Sequence, residues 1–226
     1  RIGLSDAEEL RLGSPFDYQK TTLLLTPHDI PEPQNSGYQE ALVQSLVKVA
    51  QASGGGVLGL FTSYAGLQAT RNSVRAQLQG EEIEVLSQGV DGPPWALIET
   101  AKEKLNTVIL GTASLWEGID LPGNLLRVLA VARLPFPVPT DPLFAARSEQ
   151  YDDPFIQYAL PQAVLRFRQG FGRLIRRSSD RGVVVVLDSR VVSKGYGKVF
   201  LNSIPDCTVR RVTTQALGKE ILEWLR

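Results

Sequence analysis

The chain has 226 residues, with 24 basic and 24 acidic side chains and therefore no net charge at neutral pH. Its hydrophobic content of 43% and charged content of 21% are ordinary for a folded globular domain, and no apolar run is long enough to span a membrane. The balanced charge argues against a broadly basic nucleic-acid coat, although it allows a local basic patch. A single cysteine, Cys207, excludes an internal disulfide and cannot alone hold an iron–sulfur cluster.

Hydrophobic periodicity divides the chain into alternating strands and helices. The predicted strands are Thr21–Thr26, Val57–Phe61, Glu82–Leu86, Thr107–Gly111, Leu125–Ala132, Val183–Leu187 and Cys207–Val212. The predicted helices are Glu40–Ala52, Tyr64–Gln79, Pro94–Lys104, Pro154–Arg177 with a candidate break at Pro161, Tyr196–Ser203 and Thr214–Leu225. Two Pro-rich segments, Pro27–Gly37 and Pro135–Pro142, are predicted to be irregular. The alternation predicts an α/β fold with one open, mostly parallel sheet and helices on both faces.

The octet Gln169–Arg176 carries the most specific pattern in the chain. At about 100° per residue on a helix, Gln169, Arg173 and Arg176 would share one narrow polar face. The opposite face would carry apolar side chains that can pack on a sheet, namely Leu160, Val164, Phe167, Phe171 and Leu174. Two guanidiniums and an amide on a rigidly backed face suit an anion such as phosphate.

The alternative for this octet is a solvated helix face on which Arg176 or Arg177 pairs with Asp180. Gly170 and Gly172 favour the anion-binding interpretation, because each glycine costs about 1 kcal/mol relative to alanine inside a helix. A surface helix has little reason to tolerate both, whereas close approach of the backbone to a ligand or a neighbouring domain is such a reason.

The octet resembles motif VI of superfamily 2 helicases, in the form typical of the DinG/XPD-like branch. The other matching segments are Leu60–Tyr64 (motif IV), Gly111–Gly123 (motif V), Leu12–Tyr18 (the approach to the second motor domain) and Arg133–Pro142. They occur in the order of the family and span most of the chain. The resemblance therefore implies a single RecA-like domain, the second motor domain of an ATP-dependent DNA helicase, at residues 21–226, preceded by a 20-residue leading segment.

The sequence lacks the Gly-x-x-x-x-Gly-Lys-Ser/Thr cradle for phosphates and the acidic string for Mg²⁺. We therefore expect ATP with Mg²⁺ to be bound mainly by the first RecA-like domain of the same protein, and this chain alone to be inactive. Because it has no methionine and no signal-peptide pattern, the chain is expected to be a piece of a larger protein. The resemblance implies that this protein is bacterial, cytoplasmic and monomeric. Single-stranded DNA is the expected partner, and any iron–sulfur cluster would lie outside this chain.

The resemblance also assigns site residues. Arg173 and Arg176 would be catalytic, one of them as arginine finger. The nucleotide would contact Gln169, Glu117, Gly118 and Asp120, where Asp120 holds a ribose hydroxyl or positions an arginine. The DNA backbone would contact Thr62, Ser63, Thr112 and Ser114. The DNA set and the nucleotide set each also have an interpretation without a ligand. Thr62 or Ser63 would be the N-cap of a helix, and motif V would be an ordinary strand-to-helix turn that Asp120 caps locally.

Other polar and aromatic residues have modest predicted roles. Arg71 and Arg75 are expected on a solvated helix face, Phe136 under its own loop, His28 on a surface loop and Cys207 in the core. Two rival functions stay open. One is a nucleic-acid-binding or partner-docking module without a motor; the other is a Rossmann-type enzyme, which would need a Gly-rich fingerprint after the first strand.

Overall fold

The computed structural model describes residues 14–226 except 113, 116–120, 122, 176 and 178–179. Its strands are β1 Thr22–Pro27, β2 Val57–Leu60, β3 Glu84–Ser87, β4 Thr107–Gly111, β5 Val128–Val131, β6 Gly182–Val186 and β7 Thr208–Val212. They form one sheet in the order β3-β4-β2-β5-β6-β1-β7, and every pairing is parallel. The predicted open parallel sheet is therefore confirmed, with shifts of a few residues at strand ends.

The longer helices match the predicted ones within a few residues at most ends. They are α2 Tyr38–Ser53, α3 Tyr64–Gln77, α4 Pro94–Glu103, α6 Leu160–Phe171 and α9 Leu217–Leu225. Shorter helices are α1 Tyr18–Thr21, α5 Pro142–Ser148, α7 Arg190–Ser193 and α8 Gly197–Leu201. Of these short helices, α1, α5 and α7 were not predicted, because four to seven residues show too little periodicity. In the described part of the chain, no helix is long and apolar enough to cross a membrane.

The sheet separates two hydrophobic layers, because successive side chains of a strand point to opposite faces. Leu23 and Leu25 pack in one layer with apolar side chains of α2, α3 and α9. Leu24 and Leu58 pack in the other layer with those of α4, α6 and α8. Helices therefore cover both faces, as predicted, and the strand ends are left as the surfaces on which polar groups gather.

The predicted helix Pro154–Arg177 is divided at the expected proline. A π-helical turn at Phe155–Ala159 runs directly into α6, whose second residue is Pro161. The proline lacks an N–H and its ring crowds the carbonyl four residues earlier, so the preceding turn widens instead of continuing as regular α-helix.

Candidate functional site

Three adjacent strands bring polar residues together at the carboxyl edge of the sheet. β2 pairs with β4, and β4 pairs with β3, so their carboxyl ends lie side by side. Thr62 and Ser63 follow β2, Gln88 follows β3 and Thr112 follows β4. Motif IV and motif V therefore lie close together. We call Thr62, Ser63, Thr112 and Ser114 the hydroxyl surface.

Gln88 organises the hydroxyl surface, and sequence reasoning missed it. Its carboxamide oxygen accepts hydrogen bonds from the backbone N–H of Thr112 at 2.9 Å and from the Thr112 hydroxyl at 3.3 Å. Its amide nitrogen donates to Ser114 Oγ at 2.8 Å, which leaves the proton of that hydroxyl for another acceptor. The Tyr64 hydroxyl donates to the Gln88 carbonyl at 2.5 Å. The available signal was a polar residue directly after a strand that neighbours motif V.

The two motif IV hydroxyls differ in their surroundings. Ser63 Oγ accepts the backbone N–H of Gly66 at 3.2 Å and caps α3, so the helix-cap interpretation is correct for Ser63. The Thr62 hydroxyl, which is half-buried, has no hydrogen-bond partner among the residues that the structure describes. Thr62 is therefore the motif IV hydroxyl that can donate fully to a ligand.

Arg71 and Arg75 brace the loop that carries Gln88. Asp91 Oδ1 lies 3.0 Å from an Arg75 nitrogen and 3.5 Å from an Arg71 nitrogen, and Oδ2 accepts from Ser87 N–H at 2.8 Å. Burial alone would raise the pKa of Asp91, but the hydrogen bonds from Ser87 and Arg75 outweigh it and lower the pKa. Only 13% of the Arg71 side chain is exposed, so the predicted solvated face is wrong for Arg71.

The motif VI octet does not lie on one helix, and this prediction was wrong. α6 ends at Phe171 with Gly172 as its C-cap. The next two N–H groups, of Arg173 and Leu174, donate to carbonyls three residues back at 3.1 Å, as in a tightened final turn. Glycine is a poor helix former, so the helix stops at Gly172, and only Gly170 interrupts the helix. Gln169 and Arg173 therefore share a helix end rather than a helix face.

Close packing of Leu174 against β6 explains why the chain turns after α6. Leu174 is buried against Gly182, the first residue of β6, where a Cβ atom would lie 2.4 Å from the leucine side chain. Glycine at this position allows the close approach. Arg173 is half-exposed beside this contact and Gln169 is exposed one turn earlier. Both thus lie towards the amino end of β6, whereas the hydroxyl surface lies at the carboxyl ends of the strands.

Arg176, Glu117, Gly118 and Asp120 lie outside the described residues, and their assigned roles stay predictions. Near them, Asp180 Oδ2 accepts the backbone N–H of Arg177 at 2.8 Å. This contact holds the main chain between α6 and β6.

A buried carboxylate at the end of β6 fixes the start of the Pro-rich segment Pro135–Pro142. Asp188 is fully buried; its Oδ2 accepts the Leu134 N–H at 2.8 Å and lies 2.6 Å from an Arg190 nitrogen. Oδ1 accepts Arg190 Nε–H at 2.9 Å. The Tyr38 hydroxyl shares its one proton between the carbonyls of Ala132 and Leu187, which ties the ends of β5 and β6 together. Asp188 is the second site residue that sequence reasoning missed.

Three modest predictions are correct. Phe136 packs edge-on against Tyr196 and Phe200, with ring centroids 5.5 and 5.6 Å away, under its own loop. Cys207 is buried in the core, and burial raises the pKa of its thiol to about 11. His28 is exposed on a loop.

The donors at the end of α6 fit phosphate. Gln169 is exposed and Arg173 is half-buried, and their side chains carry amide and guanidinium N–H groups. N–H groups of these types are the usual partners of phosphate oxygens, and a guanidinium can donate two parallel hydrogen bonds. The chemistry of this end of α6 therefore suits the phosphates of a nucleotide held by a facing domain.

The model of the helicase C-terminal domain family matches residues 46–207. The ATP-dependent DNA helicase YoaA of Escherichia coli is 36% identical over 96% of this chain, and the 3'-5' exonuclease DinG of Bacillus subtilis is 35% identical over 96%. The ATP-dependent helicase DinG of Mycobacterium tuberculosis is 38% identical over 87%. The chain covers only 34%, 24% and 30% of these proteins, respectively.

Solved structures show the same fold. Xpd4 of S. tokodaii superposes with a TM-score of 0.59 at 18% identity, over 92% of this chain and 42% of that one. The C-terminal domain of the DEAD-box protein Dbp5 superposes with a TM-score of 0.54 at 17% identity, over 92% of this chain and 98% of that one. These similarities identify the sheet and its helices as a RecA-like domain.

Proposed function

Because the chain belongs to the helicase C-terminal domain family, we propose that it is the second motor domain of an ATP-dependent DNA helicase. In this proposal the full-length protein couples ATP hydrolysis to translocation along single-stranded DNA and to duplex unwinding, in DNA repair or replication. One observation carries the proposal: two sets of phosphate-compatible donors lie at opposite ends of one sheet. One set can hold a strand while the other faces a nucleotide.

The hydroxyl surface is the proposed DNA contact. Thr62 and Ser114 each offer a hydroxyl proton, and Gln88 fixes the positions of Thr112 and Ser114. Neutral donors suit a motor, because they can hold successive phosphates without the strong binding that a row of cations would give. The loop that carries Gln88 is braced by Asp91 and its two arginines, so the surface is pre-organised.

The end of α6 is the proposed nucleotide contact. ATP with Mg²⁺ supplies the phosphoryl group for transfer to water. Gln169 would bind and orient the phosphates, and Arg173 would stabilise the charge that develops on the transferred group. From the sequence resemblance, Arg176 would share this catalytic role, and Glu117, Gly118 and Asp120 would complete the nucleotide site.

The surroundings of the domain complete the proposal. Residues 1–20 would lead in from the first RecA-like domain, which would supply the phosphate cradle and the Mg²⁺ ligands. Phe16 and Tyr18 support this path, because Tyr18 packs on Phe171 at 5.9 Å, beside Arg173, and Phe16 packs on Tyr18. A monomeric protein of the bacterial cytoplasm fits this arrangement.

In the full-length protein, Thr62→Ala should weaken binding of single-stranded DNA about fivefold, since one neutral hydrogen bond contributes about 1 kcal/mol. The salt dependence of binding should stay unchanged, because its slope counts cationic contacts. Fluorescence anisotropy with an oligo-dT strand at several salt concentrations measures both quantities.

The matched control for this substitution is Thr213→Ala, at an exposed threonine after β7 on the far side of the sheet. It should bind DNA as the unmodified protein does. Ser63→Ala is a less suitable test, because it also removes the α3 cap. If Thr62→Ala lowered ATP turnover without DNA and left DNA affinity intact, the assignment of the two surfaces would be reversed.

A further inference from the structure

A cavity of about 370 Å³ lies beside the hydroxyl surface, between the carboxyl ends of β2 and β5 and the helices α5 and α6. The lining side chains that matter here are Thr62, Phe144, Arg147, Tyr158 and Arg166. The volume falls in the range of about 300–1,000 Å³ that small-molecule sites occupy. Since Thr62 belongs both to the cavity wall and to the hydroxyl surface, the two regions are continuous.

Two arginines of the cavity wall have no side-chain partner among the residues that the structure describes. Arg147 comes from α5 and Arg166 from α6, and neither guanidinium forms a hydrogen bond or ion pair in this part of the chain. The carboxylate of Asp141 also lines the cavity, but its Oδ1 accepts the Phe144 N–H at 2.8 Å as the cap of α5. The wall thus carries a net positive charge and guanidinium donors that can bind an anion.

The same wall presents aromatic rings. Phe144 and Tyr158 stack with their centroids 5.2 Å apart and their planes at 22°, and Tyr151 stacks on Tyr158 at 5.3 Å and 12°. A flat ring system that already stacks within the protein has the geometry to extend onto a nucleobase. Aromatic stacking binds bases without sequence preference.

We propose that this cavity binds one nucleotide unit of single-stranded DNA, with the phosphate on Arg147 and Arg166 and the base against Phe144 and Tyr158. A nucleotide combines an anionic phosphate with a flat base, so it matches a wall of arginines and aromatic rings. Thr62 belongs both to this wall and to the hydroxyl surface, so a nucleotide in the cavity would be adjacent to the part of the strand that crosses the hydroxyl surface. The inference rests on the proposed function, because it takes the bound unit to belong to the strand rather than to a free mononucleotide.

The first test removes the charges. In the full-length protein, Arg147→Gln combined with Arg166→Gln should reduce the slope of log affinity against log salt for oligo-dT by about 0.7, since both arginines contact one phosphate and each neutralised phosphate of a single strand contributes about 0.7. The control is Arg168→Gln, at an exposed arginine two residues along the same helix and outside the cavity. It should leave the slope unchanged. An equal loss in both variants, or none in the double variant, would overturn the proposal.

The second test removes the ring or the base. Phe144→Leu should weaken binding of an intact strand about tenfold, and it should leave binding of an abasic strand of equal length unchanged. Free dTMP is the competing probe: if millimolar dTMP binds the unmodified protein and loses affinity in the double variant while strand binding is unaffected, the cavity takes free nucleotides and the strand assignment is wrong.

Failure of the inference and failure of the proposed function are distinguishable. If the arginine and Phe144 variants bind strands normally while Thr62→Ala weakens binding, the cavity proposal is wrong and the proposed function stands. If the unmodified full-length protein binds no single-stranded DNA, both are wrong. Thermal melting of each variant shows whether it is folded. Arg147→Gln alone, at an exposed position, should change the slope in the same direction by a smaller amount.

Discussion

Arg173→Ala in the full-length protein should lower ATP turnover about 10³-fold, because a missing arginine finger leaves the developing charge on the phosphoryl group without its stabilising partner. Arg173 sits in the turn after α6, towards the amino end of β6, far along the sheet from the hydroxyl surface. Binding of single-stranded DNA should therefore be nearly unchanged. Steady-state ATP turnover at saturating DNA, with DNA affinity measured in parallel, separates the two effects.

The control for this prediction is Arg168→Ala, which removes an exposed arginine from the last turns of α6 and should keep turnover near normal. Arg176→Ala should behave as Arg173→Ala does, on the strength of the sequence resemblance. Near-normal turnover in both Arg173→Ala and Arg176→Ala would contradict the assignment of an arginine finger to this segment.

Asp188→Ala should destabilise the domain by about 3–5 kcal/mol, the usual cost of removing one partner of a buried ion pair. The substitution leaves the Arg190 guanidinium without its carboxylate and the buried Leu134 N–H without its acceptor. Chemical denaturation followed by circular dichroism measures the free energy of unfolding.

Two further variants serve as comparisons for Asp188→Ala. Asp188→Asn keeps an acceptor for the Leu134 N–H and should be less destabilising, while Asp152→Ala, at an exposed loop position, should change stability by less than about 0.5 kcal/mol. If Asp188→Ala lowered the free energy of unfolding by less than about 1 kcal/mol, the buried pair would not hold the Pro-rich segment Pro135–Pro142 in place.

The sheet could be predicted because its strands carry a strong local signal. Val183–Leu187 is a continuous apolar, mostly β-branched run, and a strand buried on both faces has this composition. The order of strands and helices along the chain then restricts the topology to a parallel sheet, and the motif order agrees with the family. Local composition and pattern were sufficient for these features.

The site was less predictable where contacts join distant parts of the chain. Gln88 bonds to Thr112 across 24 residues, and Asp188 bonds to Leu134 across 54, so neither pairing leaves a local pattern. The prediction for the end of α6 was wrong for a different reason. The apolar spacing continues through Leu174, but Gly172 ends the helix, and Leu174 reaches the core from a turn instead.

We propose that this chain is one half of a motor, and ATP turnover by the purified 226-residue chain tests that proposal most directly. The sequence contains no phosphate cradle of the Gly-x-x-x-x-Gly-Lys-Ser/Thr type, so the chain alone should hydrolyse no ATP above background, with or without single-stranded DNA. The full-length protein should hydrolyse ATP under the same conditions and be stimulated by the strand. Turnover of about one per second or more by the chain alone, in the range of complete enzymes, would contradict the proposal that this chain is half of a motor.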